Sequence, residues 1–246
     1  MPNGNGHARP LLPQRQIRYL TPQELTRLRQ HAEARALQAR EKRTVGPVRA
    51  WALLDTLLSS GLRASEAAAL RVGDCLLGYG QASLVVRQGK GSKSREVFIP
   101  DALKRHLKGF LAWKEARGED VSDEAQLFTG KRGPLTRHGV WRAIKGLLAA
   151  VGLDPRYAVH SLRHTYATAL YRASGRDLEI IQEQLGHASI KTTTIYARVT
   201  KEDKLRAANA LAKAYQDAQR KGQSGAKWPK RAPASAGAVS AIVANP

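Results

Sequence analysis

The stretch that decides the fold class runs from Ala82 to Ile99. Ala82-Ser83-Leu84-Val85-Val86-Arg87 and Glu96-Val97-Phe98-Ile99 are dense in β-branched and apolar residues and read as strands. Between them lies Gly89-Lys90-Gly91-Ser92-Lys93, a tight turn of small and basic residues. Leu76-Leu77 can begin a third strand. Helical patterns stand on both sides of this hairpin. The element order therefore predicts an α+β domain, mainly helical, with a small antiparallel sheet between two helix groups.

Upstream, Thr21-Pro22-Gln23-Glu24 combines a capping box with proline at the first helical position, so a helix starts there. Glu41 to Gly46 is a charged break. A second helix carries Trp51, Leu54, Leu57 and Leu58 at helical spacing and ends at Gly61, which can take the left-handed cap. A short helix follows over about Ala64 to Leu70. Downstream, Pro100-Asp101 opens a helix with Leu103, Leu107, Phe110 and Leu111 on one face. Further helices are predicted over Thr136–Val151, Ser161–Ser174, Asp177–Leu185 and Thr200–Gln219, with a short one near Ile190–Tyr196. Residues 1–19 form an expected basic arm, 20–219 the folded domain, and 220–246 a disordered basic tail.

The chain has 246 residues, 42% of them hydrophobic, enough for a core and against a wholly disordered chain. Its charge is unusual: 41 Lys+Arg against 20 Asp+Glu, a formal +21. Residues 1–46 carry +6, residues 220–246 carry +5, and the remaining +10 falls within the expected domain. The folded part itself must present positive surface, which suits a polyanion such as nucleic acid. The single cysteine, Cys75, excludes an internal disulfide framework and a cysteine-cluster zinc site. No apolar run reaches the ~20 residues of a membrane helix. A soluble cytoplasmic protein, associated with the nucleoid and without a membrane partner, is the expectation.

Three short motifs carry chemistry. In Ser60-Gly61-Leu62-Arg63-Ala64-Ser65-Glu66, an arginine follows a glycine break at a helix start, where both the guanidinium and the helix N-terminus favour phosphate. Glu66 can pair with Arg63, and an arginine so paired at a helix start is usually a surface ion pair. In His160-Ser161-Leu162-Arg163-His164, the two histidines can share a helix face. Zinc is the rival reading, but the glutamate of a zincin motif is replaced by Ser161. For His164, core packing or capping of a carbonyl is the simpler role. The third is Leu185-Gly186-His187, with Tyr196 nine residues beyond it. A tyrosine so placed on a basic protein is a candidate nucleophile, though most lone tyrosines are half-buried core aromatics.

Together these motifs resemble the catalytic domain of the tyrosine recombinases, the phage integrase family. Arg63, Lys90, His160, Arg163, His187 and Tyr196 match the family's catalytic set in order, and Glu66 matches its acidic companion. The resemblance runs from about Arg18 to Val199. It implies a DNA recombinase of integrase, invertase or resolvase type, working through a 3′-phosphotyrosyl intermediate without metal, ATP or other cofactor. In that scheme Tyr196 attacks phosphorus, Arg63 and Arg163 stabilise charge, His187 adds a hydrogen bond, His160 accepts a proton and Lys90 protonates the leaving oxygen. Lys93, Arg95, Arg15 and Arg18 are expected DNA contacts. The expected partners are double-stranded DNA, further copies of the chain as a tetramer on paired sites, and an accessory or clamp protein. Most family members carry a further N-terminal helical domain. Residues 1–19 stand in its place here, as in a single-domain member or part of a longer parent. A type IB topoisomerase and a catalytically silent DNA-binding accessory are the competing readings.

Overall fold

Thr21 caps the first helix by the reciprocal pair that the sequence suggests. Its hydroxyl accepts from the Glu24 amide at 3.3 Å, and the Glu24 carboxylate accepts from the Thr21 amide at 2.7 Å. The computed structural model describes residues 18–87, 94–130 and 133–186. All of them lie in the first of two units of the chain, Met1–Ala197. Helix α1 spans Pro22–Glu41 and buries Leu28 and three alanines, Ala32, Ala36 and Ala39, whose small side chains let the next helix come close. That helix, α2, spans Gly46–Ser60 and is the centre of the domain: Val48, Ala52, Leu53, Leu54, Leu57 and Leu58 are all buried. It packs on α1 and on four later helices.

Gly61 closes α2 at φ +64°, in the left-handed region that glycine tolerates. A Cβ there would also run into the Tyr166 ring and Leu185. The chain can therefore turn sharply beneath both side chains and emerge at Arg63. Helix α3, Ala64–Ala69, follows, then a single 3-10 turn over Val72–Asp74.

The predicted sheet is present. Strands β1 (Cys75–Leu76), β2 (Ser83–Val86) and β3 (Arg95–Phe98) pair antiparallel in that order. Leu84 faces Val97, and Val86 faces Arg95. The third strand begins one residue earlier than expected. Helix α4, Asp101–Glu115, buries Leu103, Leu107 and Phe110 as predicted, and Lys114 beside them. The Lys114 amine donates to the carbonyls of Gln126 at 2.8 Å and Leu127 at 3.2 Å, which anchors the loop after α4; burial lowers its pKa.

A two-residue pair not anticipated, β4 (Thr129–Gly130) with β5 (Gly133–Pro134), leads into α5, Arg137–Ala150. Helix α6 spans Val159–Ala173 and α7 spans Leu178–Leu185, capped by Asp177 and closed by Gly186 in the left-handed region. Helix α6 starts two residues before the predicted Ser161, so His160 sits in its first turn. A small second core of Ala167, Ile181 and Leu185 joins α7 to α6, with Tyr166, Leu170 and Tyr171 packed on it. Leu20, at the start of the expected domain, is buried, and its amide donates to Thr165 Oγ1 at 2.9 Å. The tip of the β2–β3 hairpin, most of the basic arm, the expected helices near 190–196 and over 200–219, and the basic tail lie outside the described residues.

Candidate active site

Arg63 is the last extended residue before α3, at φ −73° and ψ 156°. That geometry points its amide and its side chain at the same carboxylate. Glu66, in the first turn of α3, accepts from the Arg63 amide at 2.7 Å and from Arg63 Nη1 at 2.7 Å. The same carboxylate takes a two-pronged contact from β3: Arg95 Nη1 donates to Oε1 and Nη2 to Oε2, each at 3.0 Å. From α6, Arg163 Nη1 lies 4.0 Å from Glu66 Oε2. One buried carboxylate thus gathers three arginines from three elements. Burial alone would raise the Glu66 pKa, but hydrogen bonds from Arg95 and Arg63 and the charge of Arg95 outweigh it and lower it to about 2. Glu66 is fully ionised at neutral pH.

Arg163 is only 5% exposed. Its Nη1 donates to Gly61 O at 2.6 Å and its Nη2 to Leu185 O at 2.7 Å. These carbonyls end α2 and α7, so the guanidinium ties two helix C-termini together. This suits the partial negative charge that collects there. The motif pair Gly61-Leu62-Arg63 and Leu185-Gly186, far apart in the chain, is joined by this one side chain.

His160 stands exposed on the first turn of α6. Partial burial, then the positive charges of Arg163, Arg63 and Arg137, hold its imidazole below the ordinary histidine pKa. It is therefore neutral at pH 7 and can accept a proton. His164 lies one turn on, its ring nearly perpendicular to that of His160 with centroids 5.9 Å apart. Burial, with the neighbouring His160 and Arg163, takes its pKa to about 4. Among the described residues no group of three or more histidine, cysteine or acidic side chains is arranged to hold a metal ion.

A cavity of about 760 Å³ opens between the first turns of α3, α5 and α6, lined by Arg63, Ser65, Arg137, His138, Trp141 and His160 among others. Trp141 is 44% exposed and stacks on His138 at 5.4 Å. These α5 residues escaped sequence reasoning. The signal was present: Thr136 caps α5, and Arg137 and Trp141, four apart, share a face. The arrangement offers guanidinium groups, a neutral imidazole and an aromatic ring around a space wide enough for a phosphate and its sugar.

Of the predicted site residues, the fold brings Arg63, Glu66, His160 and Arg163 together. Arg95, expected on DNA, turns inward to Glu66, and its side chain is 13% exposed. Arg18 is exposed at the start of the described chain. Lys90, Lys93, His187, Tyr196 and Arg15 lie outside the described residues.

The comparisons bear on the same region. A tyrosine recombinase XerD of Oceanobacillus iheyensis is 41% identical over 158 residues, 63% of this chain and 51% of that protein. A tyrosine recombinase XerC of Halalkalibacterium halodurans is 37% identical over 160 residues, again 63% and 51%. The chain spans about half the length of the curated relatives it matches. Among solved structures, the XerA recombinase superposes with a TM-score of 0.64 at 28% identity, covering 81% of this chain and 66% of that one. The XerH recombinase bound to its difH substrate gives 0.61 at 28%, covering 77% and 53%. The catalytic domain of bacteriophage HP1 integrase, at 20% identity and 0.53, shares the fold, covering 74% and 88%. The model of the phage integrase family matches residues 18–203, which take in every described element, and the chain belongs to that family.

Proposed function

We propose that the chain is the catalytic part of a site-specific DNA recombinase. The observation that carries this reading is Arg63, held by Glu66, beside His160 at one cavity, with Arg163 buried behind them 4.0 Å from the same carboxylate. In the proposed reaction Tyr196 Oη attacks the scissile phosphorus while His160 takes its proton. Arg63 and Arg163 stabilise the charge that builds on the non-bridging oxygens, and His187 adds a hydrogen bond. Lys90 gives a proton to the departing 5′ oxygen. The bond between phosphorus and that 5′ oxygen breaks as the bond from phosphorus to Tyr196 Oη forms, so no ATP is needed. A 5′ hydroxyl from a second duplex reverses the step and exchanges strands. The similarity to tyrosine recombinases and to the substrate-bound XerH structure supports DNA as the partner.

The proposed assembly is a tetramer on paired sites, acting in the cytoplasm on nucleoid DNA. Residues 20–219 form its catalytic domain, and the basic ends, with Arg15, Arg18 and Lys93, contact backbone phosphates. A clamp for the far face of the duplex comes from a partner or from sequence beyond the aligned half of the relatives.

The test is capture of covalent adducts. The full chain is incubated with duplexes drawn from the DNA flanking its gene, stopped in SDS, and the attached strands are sequenced. Adducts at paired inverted repeats, with product exchange between them, are expected. Supercoil relaxation without exchange would favour the topoisomerase reading, and absence of any adduct would leave a silent accessory.

A further inference from the structure

Arg95 occupies a position that a DNA contact would not need. It opens β3 opposite Val86, and its guanidinium reaches away from the strand to grip both oxygens of Glu66 at 3.0 Å. A planar fork on a carboxylate fixes the carboxylate's plane as well as its charge. The other contacts of Glu66 come from Arg63, through the amide and Nη1. Arg163 Nη1 completes the ring at 4.0 Å.

A second observation points the same way. A Cβ on Gly186 would fall 2.7 Å from Arg95 Cδ, 2.8 Å from Nε and 3.0 Å from Cζ. The missing side chain at the α7 cap therefore leaves the room that Arg95 fills. Arg95 Nε is buried, with no hydrogen-bond partner among the described residues. One side chain thus touches β3, the first turn of α3 and the end of α7. The adjoining carbonyl, Leu185 O, is the one that Arg163 holds.

We propose that Arg95 is a positioning residue for phosphoryl transfer. It locks the Glu66 carboxylate in the one orientation that aligns Arg63 and Arg163, and it does not itself meet the DNA. The proposal rests on the recombinase reading. It predicts that a lysine, which carries the charge but lacks the fork, cannot replace Arg95. It also explains why position 186 must be glycine beyond its φ of +62°: a methyl group would displace Arg95 from Glu66.

The experiment is a double-mutant cycle on the full chain with a duplex that the parent cleaves. Arg95→Lys, Glu66→Gln and the pair are compared by single-turnover cleavage at saturating DNA. Dissociation constant and salt dependence of binding are measured in parallel, and thermal unfolding confirms that each variant is folded at the assay temperature. Arg95→Lys is expected to slow cleavage on the order of 10²-fold, the scale of a small misplacement of reacting groups, with affinity and salt slope unchanged. On the Glu66→Gln background the same change should add no further loss, because Arg95 acts through that carboxylate. Gly186→Ala should copy the defect. Losses that multiply in the pair, or a salt slope shallower by about 0.9, one phosphate contact, would overturn the proposal and put Arg95 on the DNA. So would full activity in Arg95→Lys. Failure of the parent chain to form any adduct overturns the recombinase reading itself, and the proposal with it; an active parent with an additive cycle overturns only the role of Arg95.

Discussion

The Tyr196→Phe variant is expected to bind duplex DNA as the parent does and to form no covalent adduct with it. The substitution removes one oxygen, the atom that would bond to phosphorus. Affinity should survive because binding in so basic a chain rests chiefly on backbone phosphates, which phenylalanine leaves alone. The choice of Tyr196 stands on its spacing nine residues beyond His187 and on the family match over residues 18–203. A denaturing gel of cross-linked DNA, run beside a native binding titration, reads both halves. Residual phosphotyrosine in the variant would move the nucleophile to another residue.

Glu66→Gln is expected to have the second largest effect, on stability and rate together. The carboxylate is buried and neutralises a cluster of three guanidinium groups, so its removal leaves buried positive charge uncompensated. Its pKa falls from 4.5 to about 2 on folding, which corresponds to about 3 kcal/mol of stability at neutral pH. Because the folded value lies below the unfolded one, that stability is complete above pH ~4.5 and is lost as pH falls toward 2. Urea unfolding between pH 7 and pH 2 should show the parent losing this increment over its acid limb, while the difference between parent and Glu66→Gln shrinks toward zero. A difference constant with pH would mean that the carboxylate is not held by these arginines. Cleavage at neutral pH should fall on the order of 10²–10³-fold, as when a preorganised charge contact is lost.

Much of the fold was legible because its punctuation is local. The Thr21–Glu24 box, the Gly61 turn and the β-branched runs around the hairpin each announce a boundary through one or two residues. The β4–β5 pair was not legible, because two-residue strands are too short to show a period. Arg95 is the more instructive case. Basic residues near a hairpin tip suggest an outward phosphate contact. Yet strand alternation puts Arg95 on the same face as Val97, which is fully buried, while Phe98 faces out at 63% exposure. The period-two rule, applied to the charged residue as well as to the apolar ones, points it inward. Lys114 gives the same lesson on a helix: it continues the Leu103, Leu107, Phe110 stripe and is as buried as they are. The α5 contribution to the cavity was hidden for another reason. Thr136 marks the helix start, but only the packing of α5 beside α3 and α6 brings Arg137 and Trp141 to Arg63 and His160.

In the proposed reaction Arg63 and Arg163, aligned by Glu66, supply the charge stabilisation that other phosphoryl-transfer enzymes draw from a divalent ion. The most direct measurement is the single-turnover rate at which the full chain forms its DNA adduct, in excess EDTA and in millimolar magnesium at matched ionic strength. Equal rates under the two conditions are predicted, with the adduct forming fully in EDTA. A rate that collapses in EDTA and returns with added metal would contradict the claim, and would show that the arginine cluster is not sufficient to carry the transition-state charge.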